Sequence, residues 1–178
     1  AYATAYARKS RTRIRRGMIL VFMGQPTSGK TTLCKSFFSW IKTKGNFPVR
    51  THYIDGDKLR LIFQNKNYTR EGRMQNLTLA SNIAKYEKSL NDIVVMALVY
   101  PYKEAREHLR SLGEHVVFIY LEYDKNENRG RESYWVEDFE SPIGEENVYT
   151  INTSEKSELE ASKEVIDIYK THIRHIKR

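Results

Sequence analysis

An unbroken apolar run, Met18-Ile19-Leu20-Val21-Phe22-Met23, leads straight into Gly24-Gln25-Pro26-Thr27-Ser28-Gly29-Lys30-Thr31. Nothing else in the 178 residues limits the fold as strongly: it asks for a strand buried on both faces, a glycine-rich turn, then a helix. The turn fits G-x-x-x-x-G-K-[ST], the pattern of a phosphate-binding loop. Gly24 and Gly29 open backbone angles that a Cβ closes, so successive N–H groups can turn inward around a phosphate. Lys30 adds a point charge for the outer phosphates, and the Thr31 hydroxyl is a candidate Mg²⁺ ligand. The helix that follows, over Lys30–Lys44, presents its positive N-terminal end to the same phosphates. The candidate ATP contacts are therefore Gly24, Gln25, Pro26, Thr27, Ser28, Gly29, Lys30, Thr31 and Thr32.

Apolar runs alternate with longer amphipathic stretches, as in a parallel sheet covered by helices. Strands are expected at Ile19–Met23, Arg50–Ile54, Ile93–Val99, Val116–Leu121 and Val148–Ile151. Helices are expected at Lys30–Lys44, Asp57–Phe63, Arg70–Leu90, Lys103–Leu112 and about Ser157–Ile176. Gly45 and Gly113 are the stop signals of the first and fourth helices, and Ser157–Glu160 is a capping box for the last. The fold class that follows is α/β, a three-layer P-loop NTPase fold with a parallel sheet of about five strands and helices on both faces. Residues 18–178 read as a single kinase-sized domain, with no internal repeat or linker.

The formal net charge of +8 suggests a nucleic-acid partner only until it is located. Six of the 30 bases and none of the 22 acids lie in Ala1–Gly17, so the rest of the chain is nearly balanced. This basic tail (1–17) lacks the apolar stretch of a secretory signal. A targeting peptide, a nucleic-acid arm and residues ahead of a natural start at Met18 compete for it, and the last is preferred. Cys34 is the single cysteine, which excludes an internal disulfide and a cysteine zinc site. It falls in the first helix and reads as core. No apolar run reaches the 18 residues of a membrane span, so a cytoplasmic setting without membrane contact is expected. His172 and His175 lie one turn apart on the last helix, where a surface face is favoured over a metal site.

A second constellation, Asp55-Gly56-Asp57-Lys58-Leu59-Arg60, follows the second strand. Ligands of open α/β sheets gather at the carboxyl ends of the strands, and this segment, the glycine loop and Tyr100-Pro101-Tyr102 all fall there. Phosphoryl transfer needs a group that orients or deprotonates the attacking hydroxyl, and cations for an anionic acceptor. Asp55 or Asp57 serves the first need, with Lys30 as the catalytic cation, and Arg60 serves the second. Taken alone, the same string is a turn with a helix cap at Asp57.

A phosphate-binding loop followed about thirty residues later by I-D-G-D-x-x-R closely resembles the adenylylsulfate kinase family. The likeness continues through Tyr68, Arg73 and Asn76 at the family's aromatic, arginine and asparagine positions. It extends to Ile83-Ala84-Lys85, to Ile93–Tyr102 with Arg106 after it, and to Phe139-Glu140-Ser141-Pro142. In all it runs from about Ile19 to Thr153. The resemblance implies transfer of the ATP γ-phosphoryl group to the 3′-hydroxyl of adenylyl sulfate with Mg²⁺, as in sulfate assimilation. It implies that Asp57, Arg60, Tyr68, Arg73, Asn76, Tyr100 and Pro101 form the acceptor side, with Tyr68 on the adenine. No acid ends the third strand, so Thr31, water and Asp55 would have to hold the metal.

Departures cluster on the acceptor side and in the lid. Tyr100 replaces a serine, Gly72 an aspartate, and Thr78-Leu79 a basic pair. The segment Leu121–Glu132 is shortened; Arg129 and Arg131 supply lid cations over ATP there or belong to a solvated loop. Tyr134, Trp135 and Phe139 clamp a base or, preferably, pack the lid. An altered acceptor is the second reading: a nucleoside or a hydroxymethylated DNA base, with nucleic acid entering only as substrate. A slow nucleotide-hydrolysing switch module is the third, and a homodimer is left open.

Overall fold

The computed structural model describes residues 17–44, 49–124, 127, 129–130 and 134–176. The tail up to Arg16, Gly45 and Arg131 lie outside the described residues. Five strands form one sheet: β1 (Met18–Met23), β2 (Thr51–Asp55), β3 (Ile93–Ala97), β4 (His115–Glu122) and β5 (Val148–Asn152). The order across the sheet is β2-β3-β1-β4-β5, and every pairing is parallel. The helices among the described residues are α1 (Lys30–Lys44), α2 (Gly56–Ile62), α3 (Arg70–Leu90), α4 (Lys103–Ser111) and α5 (Glu158–Ile176).

Alternation along β1 divides the core. Ile19, Val21 and Met23 face a layer holding Leu77, Ala80 and Ala84 of α3 and Ala105 and Leu109 of α4. Met18, Leu20 and Phe22 face the opposite layer, with Leu33, Phe37 and Ile41 of α1 and Ala161 and Val165 of α5. All six β1 side chains are fully buried, which is why the strand reads as a continuous apolar run. On the α1–α5 side, the Tyr169 ring meets Phe37 edge-on at 5.2 Å and Trp40 at 5.9 Å.

The expected helix over Lys30–Lys44 and the one over Arg70–Leu90 are found with those bounds. Gly113 has φ +80 and its N–H reaches the Arg110 carbonyl, closing α4. The Ser157–Glu160 box forms in both directions: Ser157 N–H donates to Glu160 Oε2 at 2.9 Å, and Glu160 N–H to Ser157 Oγ at 3.3 Å. Strand β3 stops two residues before the expected Val99. Leu98 N–H still reaches Phe22 O, but Tyr100 then takes φ +46 and turns the chain out of the ladder.

Two core assignments are sharpened. Cys34 is buried, and burial pushes its thiol well above the ordinary value, so it is an inert part of the core. The surface reading of His172 is corrected. The residue is buried, its Nδ1 lies 3.0 Å from His115 Nε2 and its Nε2 lies 2.8 Å from the Tyr149 hydroxyl. Among the described residues no group of three or more His, Cys, Asp or Glu could hold a metal, and no helix is long and apolar enough to cross a membrane.

Arg106 on α4 is fully buried, yet charged. Its guanidinium donates to Glu145 at 2.6 Å and to the Tyr100 carbonyl at 2.9 Å, and Arg110 meets the same carboxylate at 2.9 Å. Burial opposes the charge on Glu145, but the two arginine forks outweigh it and hold its pKa below the ordinary glutamate value of 4.5. Losing one member of a buried pair leaves an uncompensated charge, so Glu145→Ala should destabilise the fold by about 3 kcal/mol. The depressed pKa means the contribution is complete above the unfolded glutamate pKa and is lost as pH falls through the lower folded value. Thermal melts of wild type and Glu145→Gln should therefore converge as pH falls below 4.5.

Candidate active site

The chain leaves β1 into a loop pinned between the ends of two neighbouring strands. Gly24 has φ +141, and its N–H donates to Val99 O at 3.2 Å beyond β3. A Cβ at Gly24 would stand 2.3 Å from the Leu121 carbonyl oxygen of β4, so only glycine passes. Gly29 is required for its backbone alone: φ is +94 and the space around it is open. Thr27 also takes a left-handed φ of +63, which no pattern in the sequence announces. Tertiary contacts hold it: its hydroxyl lies 3.0 Å from the Tyr123 hydroxyl, which itself donates to Pro26 O at 2.8 Å. Lys30 Nζ donates to Gln25 O at 2.6 Å, keeping the ammonium at the loop.

The second wall comes from the end of β2. Asp55 is the N-cap of α2, with its Oδ1 accepting from Asp57 N–H at 3.0 Å and Lys58 N–H at 3.3 Å. In the alternative reading of the segment as a turn with a helix cap, the cap thus falls at Asp55 rather than Asp57. Asp55 Oδ2 accepts from the Tyr53 hydroxyl at 3.1 Å. Gly56 lets α2 start against β3, since a Cβ there would stand 2.8 Å from Leu98 Cγ.

Arg60 on α2 donates to the Asn67 carbonyl at 2.9 Å and lies 4.5 Å over the Tyr68 ring. Partial burial lowers its pKa. Arg73 on α3 donates to Tyr68 O at 2.9 Å, with its guanidinium 5.6 Å from the same ring. Thr69 caps α3 by accepting from Gly72 N–H at 3.3 Å. Gly72 is pressed on the α2–α3 connection, where a Cβ would stand 2.3 Å from Asn67 O. This close approach explains why no larger residue stands before Arg73. Asn76 is 4% exposed and borders the cavity, and its Oδ1 has no hydrogen-bond partner. A buried polar atom without a partner at a cavity wall fits contact with a ligand.

One cavity of 440 Å³ joins these parts. Pro26, Thr27, Gly29, Lys30, Thr31 and Thr32 line its loop side. Asp55, Asp57, Arg60, Tyr68, Arg73, Asn76 and Pro101 line the other, together with Leu77 and Tyr134. Of the two expectations for Tyr134, a base clamp or the preferred lid packing, its place is at the cavity border, its ring 5.2 Å from Tyr68 in an edge-on arrangement. Its position in a segment of aromatics was the one signal available. Phe139 does pack, stacked 5.7 Å from Tyr120.

Several expected contacts lie elsewhere. Tyr100 is fully buried away from the cavity, its hydroxyl 2.9 Å from Ser81 Oγ and its ring edge-on to Phe118. The left-handed turn at Tyr100 sends its side chain inward and leaves Pro101 at the wall. The Gln25 side chain faces the lid rather than the loop interior. Its amide donates to Val136 O at 2.8 Å and accepts from Val136 N–H at 3.0 Å, pairing like one step of a β-ladder. Arg129 braces the outside of the loop: it lies 4.2 Å over the Tyr123 ring and donates to Thr27 O at 3.4 Å and Thr153 Oγ1 at 3.2 Å. Gly24 and Ser28 also sit behind the lining, Ser28 being fully buried.

The family model for adenylylsulphate kinase matches residues 16–134, which carry the loop, the Asp55 segment and both tyrosines. A probable adenylyl-sulfate kinase of Aeropyrum pernix is 31% identical over 110 residues, covering 61% of this chain and 58% of that protein. A cytidine diphosphoramidate kinase of Campylobacter jejuni is also 31% identical, over 112 residues, covering 61% and 62%. The chain thus spans about three-fifths of the length of these relatives. Among solved structures, the Mycobacterium tuberculosis APS kinase in complex with AMPPNP and APS superposes with a TM-score of 0.75 at 19% identity, over 87% of this chain and 98% of that one. A hexameric APS kinase from Thiobacillus denitrificans gives 0.68 at 19% identity, over 95% and 32%. Sharing the parallel P-loop sheet with these structures and matched by the family model over most of its described body, the chain belongs to the adenylylsulphate kinase family.

Proposed function

We propose that this chain transfers the γ-phosphoryl group of ATP to a hydroxyl of a nucleotide-like acceptor, with the 3′-hydroxyl of adenylyl sulfate as the leading candidate. The observation that carries this reading is the single cavity bordered on one side by the phosphate loop and on the other by two carboxylates, two arginines and two tyrosines. A donor site alone needs only the first wall; a two-substrate transfer needs both, facing each other across a few ångströms.

In this reading the loop N–H groups and Lys30 hold the outer phosphates of ATP. Asp55, with its two oxygens held by three donors, orients the attacking hydroxyl, and Asp57 borders the acceptor. Arg60 and Arg73 face the anionic part of the acceptor, for which planar guanidinium forks suit oxyanions. Tyr68 and Tyr134 offer ring faces for a base, and Asn76 offers its unpartnered Oδ1 to a polar group. The residues fit Mg²⁺: Thr31 and Asp55 are hard oxygen donors at the cavity, and a cation that keeps waters and phosphate ligands needs no larger protein cage. When bound, the ion would neutralise charge on the phosphates.

A changed acceptor is the second reading, and the likeness to the cytidine diphosphoramidate kinase favours it. Ring faces accept purines and pyrimidines alike, so the tyrosines do not choose between them.

An acceptor screen with Mg-ATP, covering adenylyl sulfate, cytidine diphosphoramidate, nucleosides and hydroxymethylated DNA, tests both readings. A 3′-phosphorylated product from adenylyl sulfate is expected; turnover confined to another acceptor would replace the leading candidate, and acceptor-independent hydrolysis would overturn the kinase reading. Lys30→Ala should lower kcat by about 10²- to 10³-fold, the scale of losing one charge-stabilising group. Arg73→Ala should raise the acceptor KM by about 10- to 100-fold, equivalent to one charged hydrogen bond, with little change in the ATP KM. The opposite split would remove Arg73 from the acceptor site.

A further inference from the structure

Tyr53 is outside the cavity lining, yet its hydroxyl touches Asp55 in the cavity wall. It lies on β2 two residues before Asp55, so the two side chains project from the same face of the strand. Its ring packs 6.3 Å from Phe38 of α1. Its hydroxyl donates to Asp55 Oδ2 at 3.1 Å, while Asp55 Oδ1 is taken by the N–H groups of Asp57 and Lys58. A phenol carries its proton at neutral pH and a carboxylate can only accept, so Tyr53 serves Asp55 as a donor.

The helix cap restrains one carboxylate oxygen; the phenol restrains the other. An aliphatic side chain at this position would satisfy the core equally well and leave Oδ2 free to swing, because the terminal torsion of aspartate is broad. We propose that Tyr53 is a positioning residue of the phosphoryl-transfer site: its hydroxyl fixes the angle of the Asp55 carboxylate, while its ring is anchored on Phe38 of α1. This rests on the role proposed above for Asp55.

Tyr53→Phe removes the hydroxyl and keeps the ring packing. Two measurements on the full chain test the proposal. In protein labelled with ¹³C at the aspartate carboxyls, with the Asp55 resonance assigned through Asp55→Asn, Tyr53→Phe should shift the Asp55 signal; an unmoved signal overturns the contact. In steady-state kinetics with the acceptor identified by the screen, Tyr53→Phe should lower kcat about tenfold and leave both KM values within about twofold, as expected for a slightly misplaced catalytic group. A lowered melting temperature with unchanged kcat would make Tyr53 a packing residue and overturn the proposal. Should no acceptor be phosphorylated by the wild type, the kinase reading falls, and the carboxyl signal still decides whether Tyr53 holds Asp55.

Discussion

The site depends on β1 being hydrogen-bonded along both edges and buried on both faces. Because β3 and β4 flank it in parallel, all three strands release their chains at the same edge of the sheet. The loop after β1 must then turn between the continuation of β3 and the last residues of β4. The Gly24 N–H is captured by Val99, and the Leu121 carbonyl leaves no room for a side chain. The loop is thus shaped from outside as well as by its own glycines. The same parallel arrangement carries Asp55 at the end of β2, and Pro101 just beyond β3, to that edge.

The walls of the cavity are braced by contacts that are remote in sequence. Gln25 pairs with the backbone of Val136 across 111 residues, binding the lid segment to the phosphate loop. Farther along that segment, Glu140 accepts from Lys103 N–H at 2.6 Å and from Arg70 at 3.0 Å, and its own N–H donates to Pro101 O at 2.8 Å. These bonds hold the segment just beyond Tyr134 against the loop and the start of α4. The site arginines are similarly held by backbone carbonyls, Arg60 by Asn67 and Arg73 by Tyr68. Such groups lose little side-chain freedom when an anionic ligand arrives, which favours oriented binding.

Much of the scaffold was legible because its signals are local. The bounds of α1 follow from the loop before it, and those of α3 from its long amphipathic stretch. Asp55, Asp57 and Arg60, legible from their own motif, and Tyr68, Arg73 and Asn76, implied by the family resemblance, all border one cavity. The misplacements of Tyr100 and Gln25 share a cause: they concern where a side chain points after the backbone leaves regular structure. Tyr100 follows a proper strand pattern, but its left-handed turn buries it against Ser81. Gln25 occupies a variable loop position, and only the arrival of Val136 gives its amide a partner. His172 sat on the edge of an apolar stripe, and the histidine at the start of β4 together with Tyr149 drew it inward.

By itself, the sequence determined the architecture, the phosphate-binding loop and the residue types available for phosphoryl transfer. Periodicity, glycine geometry and charge act over a few residues and survive without knowledge of the rest of the chain. Tertiary structure alone decided that Tyr134 meets Tyr68, that Gln25 pairs with Val136, and that Tyr53 packs on Phe38 of α1. Each of those depends on two elements separated in sequence approaching within hydrogen-bond or ring-contact distance. Sheet order and register set that approach, and no local pattern encodes them.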